Sequence, residues 1–548
     1  MQKTSKRRVR LATVGLAAAA LVLTGCAESE RSDEGNSDGG GTFVFAGAAE
    51  PKLLDPAFAS DGETFRVARQ MFEGLVGTEP GTPDPAPLLA ESWDNSEDGL
   101  EYTFQLRDGV SFHDGTEFNA EAVCANFDRW YNFPAAVQTD DFAYYYAKLF
   151  RGFATGEKKA EAIYDSCEAT DDLEAKITLK EPFAGFAAAL SLPAFSMQSP
   201  TALEKYQDDA AANVNTTEYS TAHPTGTGPF VFDSWDRGNR VTLKRNDDYW
   251  GEKAQVDTVQ IVAIDDPAAR ATAVQNGDVD GADLIGPADI EPLEEAGMQV
   301  MPRDPFTILY LGINQKQKPF DDLRVRQAIA HAIDKEAVAA ASLPEGSEIA
   351  TQFIPQSVNG WNEDVTEYEY DPAKAEQLLK DAGATGATLE FNYPTSVSRP
   401  YMPAPEDTFN VIRSQLEAVG LKVKPVADIW TPDYLDKIQG TANHGLHLLG
   451  WTGDYNDTDN FVGVFFGAES DEFGFKNPEL FDKLAEARGI PTVDEQTPLY
   501  EEINADVMEL LPAIPIAHPA PSLAFGADVD GYQQSPVNDE VWNTVTVG

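Results

Sequence analysis

The tightest constraint on folding lies between Ala387 and Val426. ATLEFNYP (Ala387–Pro394) is a strand-like run, DTFNVIRSQLEAVG (Asp407–Gly420) has helical periodicity, and LKVKPV (Leu421–Val426) is strand-like again. In the middle segment Phe409, Ile412, Leu416 and Val419 share one face, and Gly420 ends the helix. Strand, helix and strand in that order predict a largely parallel α/β domain. Elsewhere GTFVFAG (Gly41–Gly47) and LEYTFQL (Leu100–Leu106) predict strands. ETFRVARQMFEGLV (Glu63–Val76) predicts a helix, as does Ala120–Phe133 with Asn119 as its cap. KPFDDLRVRQAIAHAIDKEAVAAA (Lys318–Ala341) reads as one helix, capped by Asp321 or Asp322, with Val325, Ile329 and Ile333 as its buried stripe. A chain of 548 residues is too long for one ordinary core, so at least two domains are expected.

The N-terminus follows a different logic. KRRVR (Lys6–Arg10) precedes a 13-residue apolar run, LATVGLAAAALVL (Leu11–Leu23). That is short of the roughly 20 residues a spanning helix needs, and it reads as an export signal over residues 1–25. The run ends in LTGC (Leu23–Cys26), which resembles the lipobox of bacterial lipoproteins and implies acylation of Cys26. An ordinary signal with a stray cysteine is the alternative. AESERSDEGNSDGGG (Ala27–Gly41) has almost no apolar residues, so residues 26–41 are expected to be a flexible tether.

Charge and cysteine count narrow the partners. Forty basic against 91 acidic residues give −51, and −56 once residues 1–25 are removed. Nucleic acid and anionic lipid require the opposite sign, so neither is expected as a general partner. If Cys26 is lipidated, Cys124 and Cys167 remain as an even pair in an oxidising compartment. A disulfide between them is expected; two separately buried thiols are the alternative.

Enzyme signatures are scarce. The sequence has no GxSxG elbow, HExxH, Walker loop or CxxC pair, and no cofactor motif. TGTG (Thr225–Gly228) opens a strand instead of a helix and lacks a following Gly-Lys, so it is no phosphate cradle. His444 and His447 fall three apart on a predicted strand, which sends them to opposite faces and argues against a shared metal. Asp454–Phe465 superficially matches a calcium loop, but its sixth position is Asp459 and its twelfth is Phe465. A surface hydrolase would need a nucleophile and base that these patterns do not supply.

The stretch GWTGDYNDTDNF (Gly450–Phe461) follows an apolar run, LHLL (Leu446–Leu449). A buried strand therefore delivers Trp451, Gly453, Asp454 and Tyr455 to its own carboxyl end. An acid beside an indole and a phenol suits a cationic group. The two aromatics also fit a plain core, and Asp454 also fits a turn cap.

Several ordered motifs carry a resemblance. PLLAESWDNSEDGLEYTFQLRDGVSFHDGTEFNAEAV (Pro87–Val123), TGTGPFVFDSW (Thr225–Trp235), RNDDYWG (Arg245–Gly251), AVQNGDVDGADL (Ala273–Leu284), the Lys318 helix and YDPAKAEQLLKDAG (Tyr370–Gly383) together resemble bacterial extracellular solute-binding proteins of the peptide/nickel class. The resemblance covers about residues 42–548. It implies an α/β, two-lobed periplasmic-binding-protein-like fold: a first lobe of 42–303 and 515–548 with an inserted subdomain near 86–200, and a second lobe of 304–514. It also implies a monomer, no cofactor, a short peptide ligand and delivery to the permease subunits of an ABC transporter. Membrane attachment would be through the N-terminal lipid alone. SRPYMP (Ser398–Pro403), with Asp454 55 residues after Arg399, is similar to the dipeptide-binding members. That likeness implies Arg399 on a ligand carboxylate and Asp454 on its ammonium, with Tyr401, Gly453, Trp451 and Tyr455 around them. Thr458 departs from the family pattern, where proline is common. A nickel chelate or an oligosaccharide on the same scaffold would need histidines or several stacking aromatics instead. The loops Glu50–Asp55 and Thr225–Gly228 are further candidates for the cleft.

Overall fold

Two mixed sheets organise the molecule in a computed structural model that describes residues 40–139, 142–207 and 214–548. Gly39–Gly548 forms one compact unit. The expected signal, the acylated Cys26 and nearly all of the tether lie outside the described residues.

The first sheet has seven strands in the order Gln299–Pro302, Ser522–Phe525, Gly281–Ala282, Thr42–Gly47, Thr258–Ala263, Arg240–Arg245 and Phe230–Asp236. Thr42–Gly47 runs parallel to both of its neighbours. The second sheet has six, in the order Glu348–Ile349, Ala513–His518, Thr307–Ile313, Leu446–Thr452, Thr388–Thr395 and Lys422–Ile429. Thr388–Thr395 and Lys422–Ile429 are parallel, joined by the helix Pro405–Ala418, as their sequence pattern predicts. The sheet as a whole is mixed, because Thr307–Ile313 runs antiparallel to both strands beside it. Every residue of Thr307–Ile313 is buried, as befits a central strand covered on both faces. A third, antiparallel sheet orders Ala90–Asn95, Glu101–Leu106, Glu174–Leu179 and Tyr164–Asp171. The helix Ala120–Tyr131 is tied to this sheet by the Cys124–Cys167 disulfide, whose Cα atoms are 5.2 Å apart.

The Lys318 segment departs from its sequence pattern. It forms two helices, Leu323–Ala332 and Lys335–Ser342, in place of one. Asp322 caps the first, and Asp334 interrupts the run by capping the second through Ala337 N. A capping side chain in mid-segment outweighs the continuous apolar stripe, since Ile333 stays buried in the extended link.

The chain passes between the two large sheets twice. One passage joins Pro302 to Thr307; the other joins His518 to Ser522. Pro515 and Ala517 pair with Tyr310 and Leu309 in the six-stranded sheet. The uninterrupted burial of Ala513–His518 explains why that strand continues to His518. The two passages are bonded to each other: Arg303 N donates to Pro521 O at 2.9 Å, and Thr307 Oγ1 to Pro519 O at 2.9 Å. Arg303, almost fully buried, anchors the first passage through Asp283 and Glu540, at 2.5 and 2.6 Å.

Candidate ligand-binding site

Parallel neighbours release their loops at the same edge of a sheet. Thr388–Thr395 and Leu446–Thr452 are such neighbours, paired at Phe391–Leu446 and Asn392–His447. The first leads into the Arg399 loop and the second into Gly453–Asn460, so both candidate charges arise at one edge. Two glycines bring the loops close. A Cβ on Gly450 would lie 2.3 Å from the Tyr401 ring, so glycine lets that ring lie against the strand. A Cβ on Gly453 would lie 2.2 Å from Phe306, and Gly453 N donates to Phe306 O at 2.8 Å.

The acids of GDYNDTDN divide by role. Asp459 pairs with Arg488 at 2.7 Å, and Asp457 accepts from Asp459 N at 2.7 Å to cap the short turn Thr458–Asn460. Asp454 has no ion-pair partner among the described residues. Its Oδ1 accepts from the Tyr145 hydroxyl at 2.8 Å, and its Oδ2 accepts from Asn460 Nδ2 at 3.3 Å. Asn460 Oδ1 accepts in turn from Asp454 N at 2.9 Å and Trp451 Nε1 at 3.3 Å. Burial pushes the Asp454 carboxyl up to about 6, against those two donors and the more distant Arg69. Asp457 is pushed further, to about 7, by burial and by Asp459 beside it. Such displaced carboxyls mark groups whose counter-charge is absent.

Arg399 is the complement. No carboxylate of the described residues pairs with it, and its Nε is buried without a hydrogen-bond partner. Its guanidinium lies 5.2 Å from the Trp430 ring centre and 5.9 Å from that of Tyr401. Burial raises the Tyr401 phenol, and the Arg399 charge opposes that rise.

The remaining candidates separate. Trp451 is half-buried and meets Phe465 edge-on at 5.8 Å. Tyr455 is 2% exposed and belongs to the apolar cluster around the antiparallel four-stranded sheet. Of the two alternatives, that is the core role. The loops at Glu50–Asp55 and Thr225–Gly228 are committed internally. Glu50 accepts from Trp235 Nε1 at 2.8 Å, buried Asp55 pairs with Arg129 at 2.6 Å, and Thr227 donates to Glu73 at 2.6 Å. His444 and His447 correct the sequence reading, for their rings lie 5.0 Å apart. His444 precedes the strand instead of lying on it, so strand alternation does not apply. Both reach Glu472, one at its carbonyl and one at its carboxylate.

Sequence reasoning missed Tyr145, Asn460 and Trp430. The run Tyr144–Tyr146 was the only local signal for the first. Nothing in one dimension relates it to a residue some 300 positions away.

Comparison with known proteins follows the same lines. The family model for bacterial extracellular solute-binding proteins, family 5 (middle region), matches residues 84–473. The chain belongs to that family. It is a solute-binding protein and not an enzyme. Over 98% of its length it is 31% identical to heme-binding protein A of Haemophilus influenzae, covering 99% of that protein. It is 30% identical to the dipeptide-binding protein of Escherichia coli, with 92% and 94% of the two chains covered. Its fold superposes with a TM-score of 0.77 and 28% identity on DppA, an ABC transporter-associated periplasmic binding protein from Helicobacter pylori in complex with the peptide STSA. That match covers 93% of this solute-binding protein and 98% of the other chain. Among the described residues no helix is long and apolar enough to cross a membrane.

Proposed function

We propose that this protein captures short peptides, dipeptides foremost, outside the cytoplasm and delivers them to an ABC importer. The ligand's ammonium pairs with Asp454 and its carboxylate with Arg399. The observation that carries this reading is one pair of opposite charges at one sheet edge, each without a counter-ion among the described residues. A zwitterion supplies both missing partners at once, whatever its side chains, and the spacing of its ends measures its length. The relatives named for dipeptides support the same substrate class.

The two large sheets act as cores of two lobes that close over the ligand about the bonded passages at 303–306 and 519–521. Acylated Cys26 holds the protein at the membrane surface, since each buried methylene contributes about 0.8 kcal/mol. Mass spectrometry of the mature N-terminus tests the anchor.

Calorimetry with a free dipeptide, its N-acetylated form and its C-amidated form tests the ligand reading. Each block removes one charge, and affinity falls about 100-fold or more for each, because an unpaired charge in an enclosed site costs about 3–5 kcal/mol. Equal binding of all three forms overturns the reading. Heme is the second reading, favoured by the relative of that name, with Arg399 taking a propionate. Heme titration followed by a shifted Soret band, with no response to dipeptides, decides for it.

A further inference from the structure

Between Leu449 and Phe461 the chain leaves one apolar cluster and comes back to it. Leu449, Phe461 and Val462 are buried in the cluster around the six-stranded sheet. Tyr455, midway between them, is buried instead in the cluster around the antiparallel four-stranded sheet, whose other buried members run from Leu53 to Val214. Its neighbours cross in the same direction. Asp454 accepts from the Tyr145 hydroxyl at 2.8 Å, and Asn456 Nδ2 donates to Asp84 Oδ1 at 2.8 Å. Asp457 Oδ2 lies so near Gly185 that a Cβ there would clash with it. Tyr145 and Phe186, the residue after Gly185, are members of the same cluster as Tyr455. Four consecutive side chains of a loop that leaves one sheet therefore meet the part of the fold built around another.

These crossings differ in what it costs to undo them. At Asn456 and at the Tyr145 hydroxyl, separation exchanges a protein hydrogen bond for one to water, which is nearly even. Tyr455 is the apolar member of the four. Drawn out, its ring enters water and leaves a gap in a close-packed cluster. Its seat therefore weights the joining of the two parts more heavily than its polar neighbours do.

We propose that Tyr455 is a positioning residue: seated in the cluster of the four-stranded sheet, it holds the two lobes together around a ligand that it does not itself touch. This rests on the two-lobe peptide reading above. A ligand enclosed only by the joined form feels any shift in that equilibrium, so loss of the seat weakens every ligand by one shared factor. A side chain lining the ligand's own pocket would instead discriminate among ligands.

Calorimetry with alanyl-alanine and alanyl-phenylalanine, joined to small-angle scattering with and without alanyl-alanine, makes the test. The parent protein becomes more compact at saturating dipeptide. Tyr455→Ala weakens both dipeptides about 30-fold, as expected for one buried ring, and still compacts once saturated. Tyr455→Phe keeps the ring and stays within about threefold of the parent. Tyr455→Leu refills part of the seat and serves where the alanine variant does not fold; it loses about fivefold on both dipeptides. Gly185→Ala wedges the contact from the opposite side and weakens both by about fivefold or more. If the parent binds neither dipeptide, or binds without compacting, the two-lobe peptide reading fails and this proposal falls with it. If the parent compacts while Tyr455→Ala or Tyr455→Leu keeps its full affinity, only the role of Tyr455 is overturned. Unequal losses for the two dipeptides overturn it as well, since they place the ring against the ligand.

Discussion

The hydroxyl of Tyr145 donates to Oδ1 of Asp454 at 2.8 Å, joining residues 309 positions apart. Tyr145 belongs to the apolar cluster of the antiparallel sheet, whereas Asp454 follows a strand of the six-stranded sheet. The same loop sends Asn456 Nδ2 to Asp84 Oδ1 at 2.8 Å. The acid therefore links two parts of the fold, and Tyr145 orients the carboxylate that an ammonium would meet.

Removing either end of that bond has unequal effects. Asp454→Ala weakens a free dipeptide by about 100-fold or more, since a bound ammonium is left unpaired. Its effect on an N-acetylated dipeptide is small. Tyr145→Phe removes one neutral donor and costs about two- to tenfold. Calorimetry on both ligands checks all three outcomes.

Binding is linked to protons through Asp454. Burial pushes its carboxyl up to about 6, and it must be ionised to pair with an ammonium, so binding expels a proton at and below that pH. Affinity is flat above 7 and falls by about tenfold per pH unit well below 6. Asp454→Asn binds weakly with no such slope. Titrations in buffers of different ionisation enthalpy report the proton count.

Asp457 links stability to pH with the opposite sense from a salt-bridged acid. Its folded value, about 7, exceeds the roughly 3.9 of an unfolded aspartate, so the folded state holds the extra proton between them. Stability falls as pH rises through that window and is fully reduced above 7. Asp457→Asn keeps the cap and removes the charge, so it gains about 4 kcal/mol above pH 7 and nothing near pH 4. Thermal unfolding at the two pH values is the measurement.

The Cys124–Cys167 bond closes a loop of sequence separation 43. Chain-entropy arithmetic for such a loop gives about 4 kcal/mol. The double alanine variant therefore unfolds at a markedly lower temperature. Its peptide affinity, measured where it is still folded, changes little, because the bond ties helix Ala120–Tyr131 to its sheet and neither cysteine bonds Asp454 or Arg399.

Gly450→Ala tests how Arg399 is placed. The new methyl would meet the Tyr401 ring at 2.3 Å and Ile308 O at 2.4 Å, and the strand backbone cannot yield. The ring shifts and carries Arg399 with it. Affinity for free-acid dipeptides drops by about tenfold while the C-amidated form is unaffected, as a small displacement at a bidentate contact predicts.

Much of the scaffold was legible because periodicity is local. Phe409, Ile412 and Leu416 are buried on the helix Pro405–Ala418, and the parallel strands flanking it follow from the same pattern. Asp454 and Arg399 were legible as candidates through motif resemblance and through strand ends. The break at Ile333–Asp334 was not, since a cap competes with an apolar stripe and only packing decides between them. Tyr455 was ambiguous for a like reason: one aromatic beside a glycine fits a groove wall or a core.

What the linear chain determined by itself was the family, the alternation of strand and helix, and which charged residues stand at strand ends. These depend on neighbours within a few positions or on whole motifs. The tertiary structure alone decided which acid of GDYNDTDN pairs with Arg488, which one a tyrosine reaches, and which indole flanks Arg399. Each of those is a contact between segments far apart in sequence, made or missed by how the sheets pack, and no residue's own neighbours encode it.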